Sequence, residues 1–307
     1  MNDPRPAALP FPSQGTGILR PGRWLALRAL VWAVPLLVLL EVGQRSVQRA
    51  ARSFGPHHDG PFALVSLASA ALVALLIYLL AAYVIERRTP YELALRRLVP
   101  ELAAGLLFGT AMFAVVMGVL VAAGAFELTG PTAAPVWHHL AIALESGVVE
   151  ELLFRGVIFR LLWTAFGAWW GLAVSSALFG LAHLINPNTD ILVVLGLALE
   201  AGLMLGGLFI LTGRLWAPIG FHIAWNFSES YLFGARISGL ALGPGLFRAE
   251  PVAGAGPLWT GGLFGPEASL PSVLLLSLTG AALIVVASRK QRSSAAPADL
   301  PQPHAQG

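Results

Sequence analysis

Eight blocks of about twenty apolar residues divide this 307-residue chain, at approximately 25–44, 62–85, 102–124, 136–163, 167–187, 190–212, 214–234 and 271–288. A helix needs about twenty residues to cross a hydrocarbon core about 30 Å thick, and in lipid every backbone polar group must bond within its own segment. The pattern therefore predicts an all-α, polytopic membrane protein of about eight transmembrane helices. Only 11% of the residues are charged, against about 25% in a soluble domain. The first block carries Arg28 near its start and Pro35 inside. The seventh is broken by Pro218, His222, Asn226 and Glu229, so other helices must shield it. With no internal repeat in the sequence, an inverted-repeat transporter gains little support.

The charges fall between the apolar blocks. A pI near 9.8 with no basic run beside aromatic residues argues against nucleic acid as a partner. Counting Lys and Arg with the N-terminus inside puts thirteen on the inner side and five on the outer: Arg45, Arg49, Arg52, Arg236 and Arg248. The positive-inside rule then places both termini in the cytoplasm. Richness in Ala, Arg, Gly and Leu beside a single Lys suggests a bacterial chain, hence the inner (plasma) membrane. The absence of cysteine excludes disulfides, a cysteine nucleophile and every cysteine-based zinc site.

These features predict a polar cytoplasmic segment over 1–24, three transmembrane helices over 25–124, a helical core over 136–234 and a Gly/Pro-rich outer loop over 235–270. A last helix over 271–288 and a disordered cytoplasmic tail over 289–307 complete the chain. The segment 86–100 reads as a partly amphipathic cytoplasmic connector on anionic lipid. The outer loop shows no obvious motif.

Charge inside the fourth block is the strongest functional signal. Glu150, Glu151 and Arg155 lie within six residues of a helix otherwise able to cross a bilayer. Each costs roughly 2.5–3.5 kcal/mol there on insertion scales. Glu151 and Arg155, four apart, share a helix face and can pair. Glu150 points about 100° away. One carboxylate is thus expected to be held by the arginine while the other is free to act as a general base. The structural alternative is an ion-paired helix anchor. His183 in the fifth block lies on one face with Phe179, which would wall a pocket around it, although a lone histidine there is more often a packed core residue. His222 and Asn226 in the seventh block are also four apart and present two hydrogen-bonding groups, as an oxyanion hole or an interhelical bond requires. From the cytoplasmic ends of their segments, Glu150 lies roughly 20 Å deep, His183 roughly 24 Å, His222 roughly 12 Å and Asn226 roughly 18 Å. Polar groups from three helices are therefore expected at one level.

The same residues carry a resemblance. Glu150-Glu151-x-x-x-Arg155, Phe179-x-x-x-His183 and His222-x-x-x-Asn226, in this order on successive apolar segments, resemble the CPBP family of intramembrane glutamic endopeptidases. That family includes the type II CAAX prenyl endopeptidases and the Abi and bacteriocin-immunity proteins. The resemblance covers about 136–234 and implies an eight-helix core and hydrolysis of a peptide bond in a membrane-associated protein or peptide. It implies that Glu150 activates water, His183 positions or polarises it, and His222 with Asn226 forms the oxyanion hole. Glu151 and Arg155 would hold the geometry and charge of the site. No cofactor is expected. Zinc on Glu150, His183 and His222 is the minority alternative, since HxxxN places an amide where a ligand is wanted and no HExxH is present. A cytoplasmic opening would suit prenylated C-termini. The remaining alternatives are a transporter or an immunity protein using the same polar cluster.

Other polar residues are read more plainly. Glu145 is expected to bond to a neighbouring helix or face an entrance, Glu200 to need an internal partner, and Glu229 stays unassigned. His138, His139, Trp137, Trp163, Trp169, Trp170 and Trp216 read as interfacial residues near segment ends. The run Gly202–Phe209 suits close helix packing.

Overall fold

In a computed structural model of the chain, residues 15–53 and 60–295 are described. The expectations for residues 1–14 and for the tail beyond 295 fall outside the described residues. The helices are α1 (Leu25–Ser53), α2 (Pro61–Leu80), α3 (Leu98–Ala122), α4 (Trp137–Glu151), α5 (Arg160–Phe166), α6 (Ala168–Ala182), α7 (Ile191–Thr212), α8 (Trp216–Phe227), the short α9 (Pro257–Thr260) and α10 (Leu270–Ala295). A two-stranded antiparallel ribbon, β1 (Phe126–Thr129) with β2 (Arg248–Pro251), is the only sheet among the described residues. The protein is all-α and of membrane type. Among the described residues six helices are long and apolar enough to span a bilayer. The rods 137–166 and 216–232 lie outside that set. The first carries Glu145, Glu150, Glu151, Arg155 and Arg160, and the second is short and interrupted by polar groups.

Small residues let the rods approach. Gly105 and Gly109 of α3 face Ala217 and Phe221 of α8 so closely that an added Cβ would lie 2.3 and 2.4 Å from their carbonyl oxygens. This small-xxx-small contact is a common membrane packing mode. Gly147 of α4 lies against Ile223 of α8, where a Cβ would approach the backbone nitrogen to 2.9 Å. Gly202, Gly206 and Gly207 of α7 meet Ser176 and Leu172 of α6 and Gly280 of α10, which is the packing expected of that glycine run.

Three stretches wind as π-helix: Ala81–Glu86 after α2, Leu152–Phe159 between α4 and α5, and Ser228–Leu232 after α8. Each contains a buried charged residue, namely Glu86, Arg155 and Glu229. Wide turns of this kind occur often at functional sites because they re-aim side chains out of the regular helical register.

The connections gather on two faces. On the first, Thr16–Ile18 hydrogen-bonds to Ile85–Arg87, the Leu215 N–H donates to the Glu92 carbonyl, and the Trp216 indole donates to Ala94. On the second, β1 pairs with β2, the Asn188 amide donates to the Gly239 carbonyl, and the Gly239 N–H donates to Phe264. The loop 235–270 therefore forms a folded cap, although its sequence suggested only an excursion. The connector 86–100 also differs from expectation. Glu86, Arg88 and Glu92 turn inward and are buried, leaving Arg87, Arg96 and Arg97 exposed, so it does not simply lie on lipid.

Trp216 and His139 stay near the helix starts but are buried within the protein: the Trp216 indole donates to the Ala94 carbonyl, and His139 packs beside Tyr231.

Candidate functional site

Glu151, the last residue of α4, is fully buried and accepts from Arg155 Nη1 at 2.8 Å. The other arm of Arg155 donates to the Ala201 carbonyl of α7, and its guanidinium lies 4.8 Å over the Phe179 ring. The pair predicted from i, i+4 spacing forms, although Arg155 stands in the π-helical turn. Glu151 also receives the Nδ1 of His222 at 3.0 Å. A carboxylate held by arginine can only accept, so His222 carries its hydrogen on Nδ1. Its Nε2 then points to Glu150 Oε2, 3.9 Å away.

Glu150 lines a cavity of about 210 Å³, and its side chain keeps 29% exposure. Its Oε2 has no protein hydrogen-bond partner. The two adjacent glutamates thus have different surroundings, one bonded to two partners and one facing open volume.

His183 terminates α6 and begins a 3-10 turn, rather than sitting inside the helix. Its Nδ1 lies 2.8 Å from the Phe179 carbonyl. A carbonyl only accepts, so Nδ1 is the protonated nitrogen and Nε2 keeps a lone pair in the neutral ring. Phe179 packs 4.8 Å from His183 and 6.3 Å from His222, walling the cavity between them.

Asn226 donates from Nδ2 to Ser146 Oγ at 2.8 Å, and Ser146 passes its own hydrogen to the Ile142 carbonyl. One amide hydrogen of Asn226 remains for another acceptor. The cavity brings together Glu150, Phe179, His183, His222 and Asn226, while Glu151 and Arg155 stand behind its wall.

Several lining residues carried little or no sequence signal. Ser146 precedes Glu150 by one turn and fixes Asn226. Glu200 of α7 lines the same cavity and accepts from Ser272 of α10, the internal partner its burial required. Glu267 arrives from the cap, where its Oε1 accepts from the Ser238 N–H at 2.6 Å and hydroxyl at 2.9 Å. Its own N–H donates to Glu229, which is fully buried. Burial pushes the Glu267 carboxyl above the usual carboxylate range, against the attraction of His183 and His222 and the bonds from Ser238. Glu145 lies to one side, held by Gln48 of α1. Among the described residues, no three His, Asp or Glu side chains are gathered as a metal ion requires.

Comparison with known proteins gives one match. Residues 131–228 match the family model described as type II CAAX prenyl endopeptidase Rce1-like. The matched segment includes Glu150, Glu151, Arg155, Phe179, His183, His222 and Asn226 and ends before the cap. No curated protein and no solved structure matches the chain. The match supports an intramembrane endopeptidase of the CAAX-protease class acting on a membrane-embedded protein substrate. Residues 131–228 are thus similar to the Rce1-like family, in keeping with the resemblance to the CPBP family, and lie within an all-α membrane protein.

Proposed function

We propose that the chain hydrolyses a peptide bond of a membrane-associated protein or peptide with water activated by Glu150. The observation that carries this reading is the convergence of Glu150, His183, His222 and Asn226 on one cavity, with Glu151 withdrawn into its pair with Arg155. A water between the Glu150 carboxylate and the lone pair of His183 Nε2 has two acceptors to orient it. As its oxygen attacks the carbonyl carbon, one O–H bond breaks and the proton passes to Glu150. The oxyanion then accepts from the free Asn226 amide hydrogen and from His222 Nε2. Because Nδ1–H of His222 is engaged by Glu151, donation from Nε2 requires the doubly protonated ring, which lies between two carboxylates. When the C–N bond breaks, the proton on Glu150 moves to the departing amine. A positioned base contributes about 10²–10⁴ in rate, and one oxyanion donor about 10²–10³.

The expected setting is the plasma membrane of a bacterium, with both termini cytoplasmic and no metal in the reaction. Peptide proteomics of membrane proteins in cells carrying wild type or Glu150→Gln tests the reading. An uncleaved precursor accumulating only in the variant is the expected result. Identical profiles contradict it, and a stoichiometric zinc with chelator-sensitive cleavage would replace it by a metal-dependent hydrolase.

A further inference from the structure

The cavity is asymmetric between the two faces. Every lining residue drawn from a connection comes from the capped face: Asn186 from the turn after α6, and Ile237, Ser238, Leu240 and Glu267 from the cap. A larger cavity of about 610 Å³ lies among cap residues that include Arg236, Arg248 and Pro266, next in sequence to Ile237 and Glu267. Neighbouring cap residues, Arg236 with Ile237 and Pro266 with Glu267, thus line the two cavities.

Toward the other face the way is filled. Leu152, Phe159, Leu161 and Phe209 are at most 1% exposed. Behind Glu151 and Arg155 comes a second buried layer. There Arg160 donates to Glu86 and to the Gly156 carbonyl, Arg88 donates to Glu86 and Glu92, and the Tyr78 hydroxyl donates to Glu92. Gly156 is tightly packed, since a Cβ would approach the Tyr78 ring to 3.1 Å. No residue of the connections 86–97 or 213–215 reaches the cavity lining.

The face that is filled is also the arginine-rich one. Arg20, Arg23, Arg87, Arg96, Arg97 and Arg289 are exposed there. The capped face has Arg236 and Arg248 in the cap and Arg45, Arg49 and Arg52 at the end of α1. Excess Lys and Arg in short loops marks the cytoplasmic side.

We propose that the reaction cavity communicates with the non-cytoplasmic side through the cap, and that its substrate is an exported or membrane-anchored peptide presented there. A prenylated cytoplasmic C-terminus would arrive at the filled face. This assignment rests on the endopeptidase reading for its substrate, but the side of the membrane can be tested without any cleavage.

The chain has no cysteine, so single-cysteine variants of the full protein report cleanly. Ala253→Cys in the cap and Thr89→Cys in the connector before α3 stand at exposed positions, and Ile142→Cys lines the cavity outside the proposed machinery. A charged, membrane-impermeant methanethiosulfonate is added to intact cells and to permeabilised cells. The expected result is modification of Ala253→Cys and Ile142→Cys in intact cells, and of Thr89→Cys only after permeabilisation. Modification of Thr89→Cys in intact cells, or of either other variant only in opened cells, overturns the proposal. If Ile142→Cys fails to fold, the exposed pair still decides orientation. The expected labelling without any cleavage would sink the endopeptidase reading alone. The reverse labelling with cleavage would sink only the assigned side.

Discussion

Two buried charged clusters lie about ten residues apart along one helical rod, Glu150 and Glu151 at its middle and Arg160 toward its far end, and their contrast separates what holds this protein together from what it does. At the arginine-rich end Glu86 and Glu92 meet Arg88 and Arg160, two charges of each sign. All four carboxylate oxygens are bonded, by the arginines, the Trp32 indole and the Tyr78 hydroxyl. Around the cavity carboxyls are in excess. Glu150, Glu151, Glu200, Glu229 and Glu267 stand near one arginine and two histidines, and Oε2 of Glu150, Glu151 and Glu229 finds no protein partner. A buried pair is worth little beyond its desolvation cost, but removing one member strands a charge. Full satisfaction is therefore the mark of a clasp, and open acceptors beside a cavity are the mark of a working site.

The largest break in this comparison is expected at the clasp. Arg160→Met leaves Glu86 without one of its two guanidinium partners and should cost about 3–5 kcal/mol, read as a large fall in thermal midpoint in detergent. Activity per folded molecule should change little. In the cavity, Asn226→Ala should lower the hydrolysis rate about 10²–10³-fold while the thermal midpoint holds. A third substitution tests how fold and site are joined. Gly147→Val would push α4 from α8 at Ile223, with an overpacking cost of about 1–3 kcal/mol and a separation of Glu150 from His222 that depresses rate as well.

The smallest effect concerns pH. Glu267 binds its proton more tightly in the folded chain than in the unfolded one. Such a carboxyl contributes stability that is complete below the unfolded value and is lost as pH rises through the raised folded one. Glu267→Gln removes that loss and keeps an acceptor for Ser238. Its thermal midpoint should fall less than that of wild type between about pH 5 and about pH 8. Parallel curves would show that Glu267 is ionised throughout.

Helical periodicity made the functional half of this contrast largely legible, because Glu151 with Arg155 and His222 with Asn226 are spaced one turn apart and the helices keep them on shared faces. The all-α membrane class followed from the length of the apolar blocks. The clasp was not legible. Glu86, Arg88 and Glu92 look like an ordinary loop charge run, and only the π-helical turn and the inward fold of the connector bring them to Arg160. Glu267 was equally hidden, since a long Gly/Pro-rich loop gives no register by which to aim a side chain. Sequence also placed His183 inside a helix, whereas it closes one, where a free Nε2 can face the cavity.

The central claim is that Glu150 serves the reaction and not the fold. It is tested most directly by measuring peptide hydrolysis and thermal midpoint together for purified wild type, Glu150→Gln and Glu86→Gln. The account predicts that Glu150→Gln loses at least about 10²-fold in rate at an unchanged midpoint, while Glu86→Gln loses midpoint and keeps its rate per folded molecule. A Glu150→Gln protein that cleaves at the wild-type rate, or whose loss of rate follows a loss of folding, would contradict it.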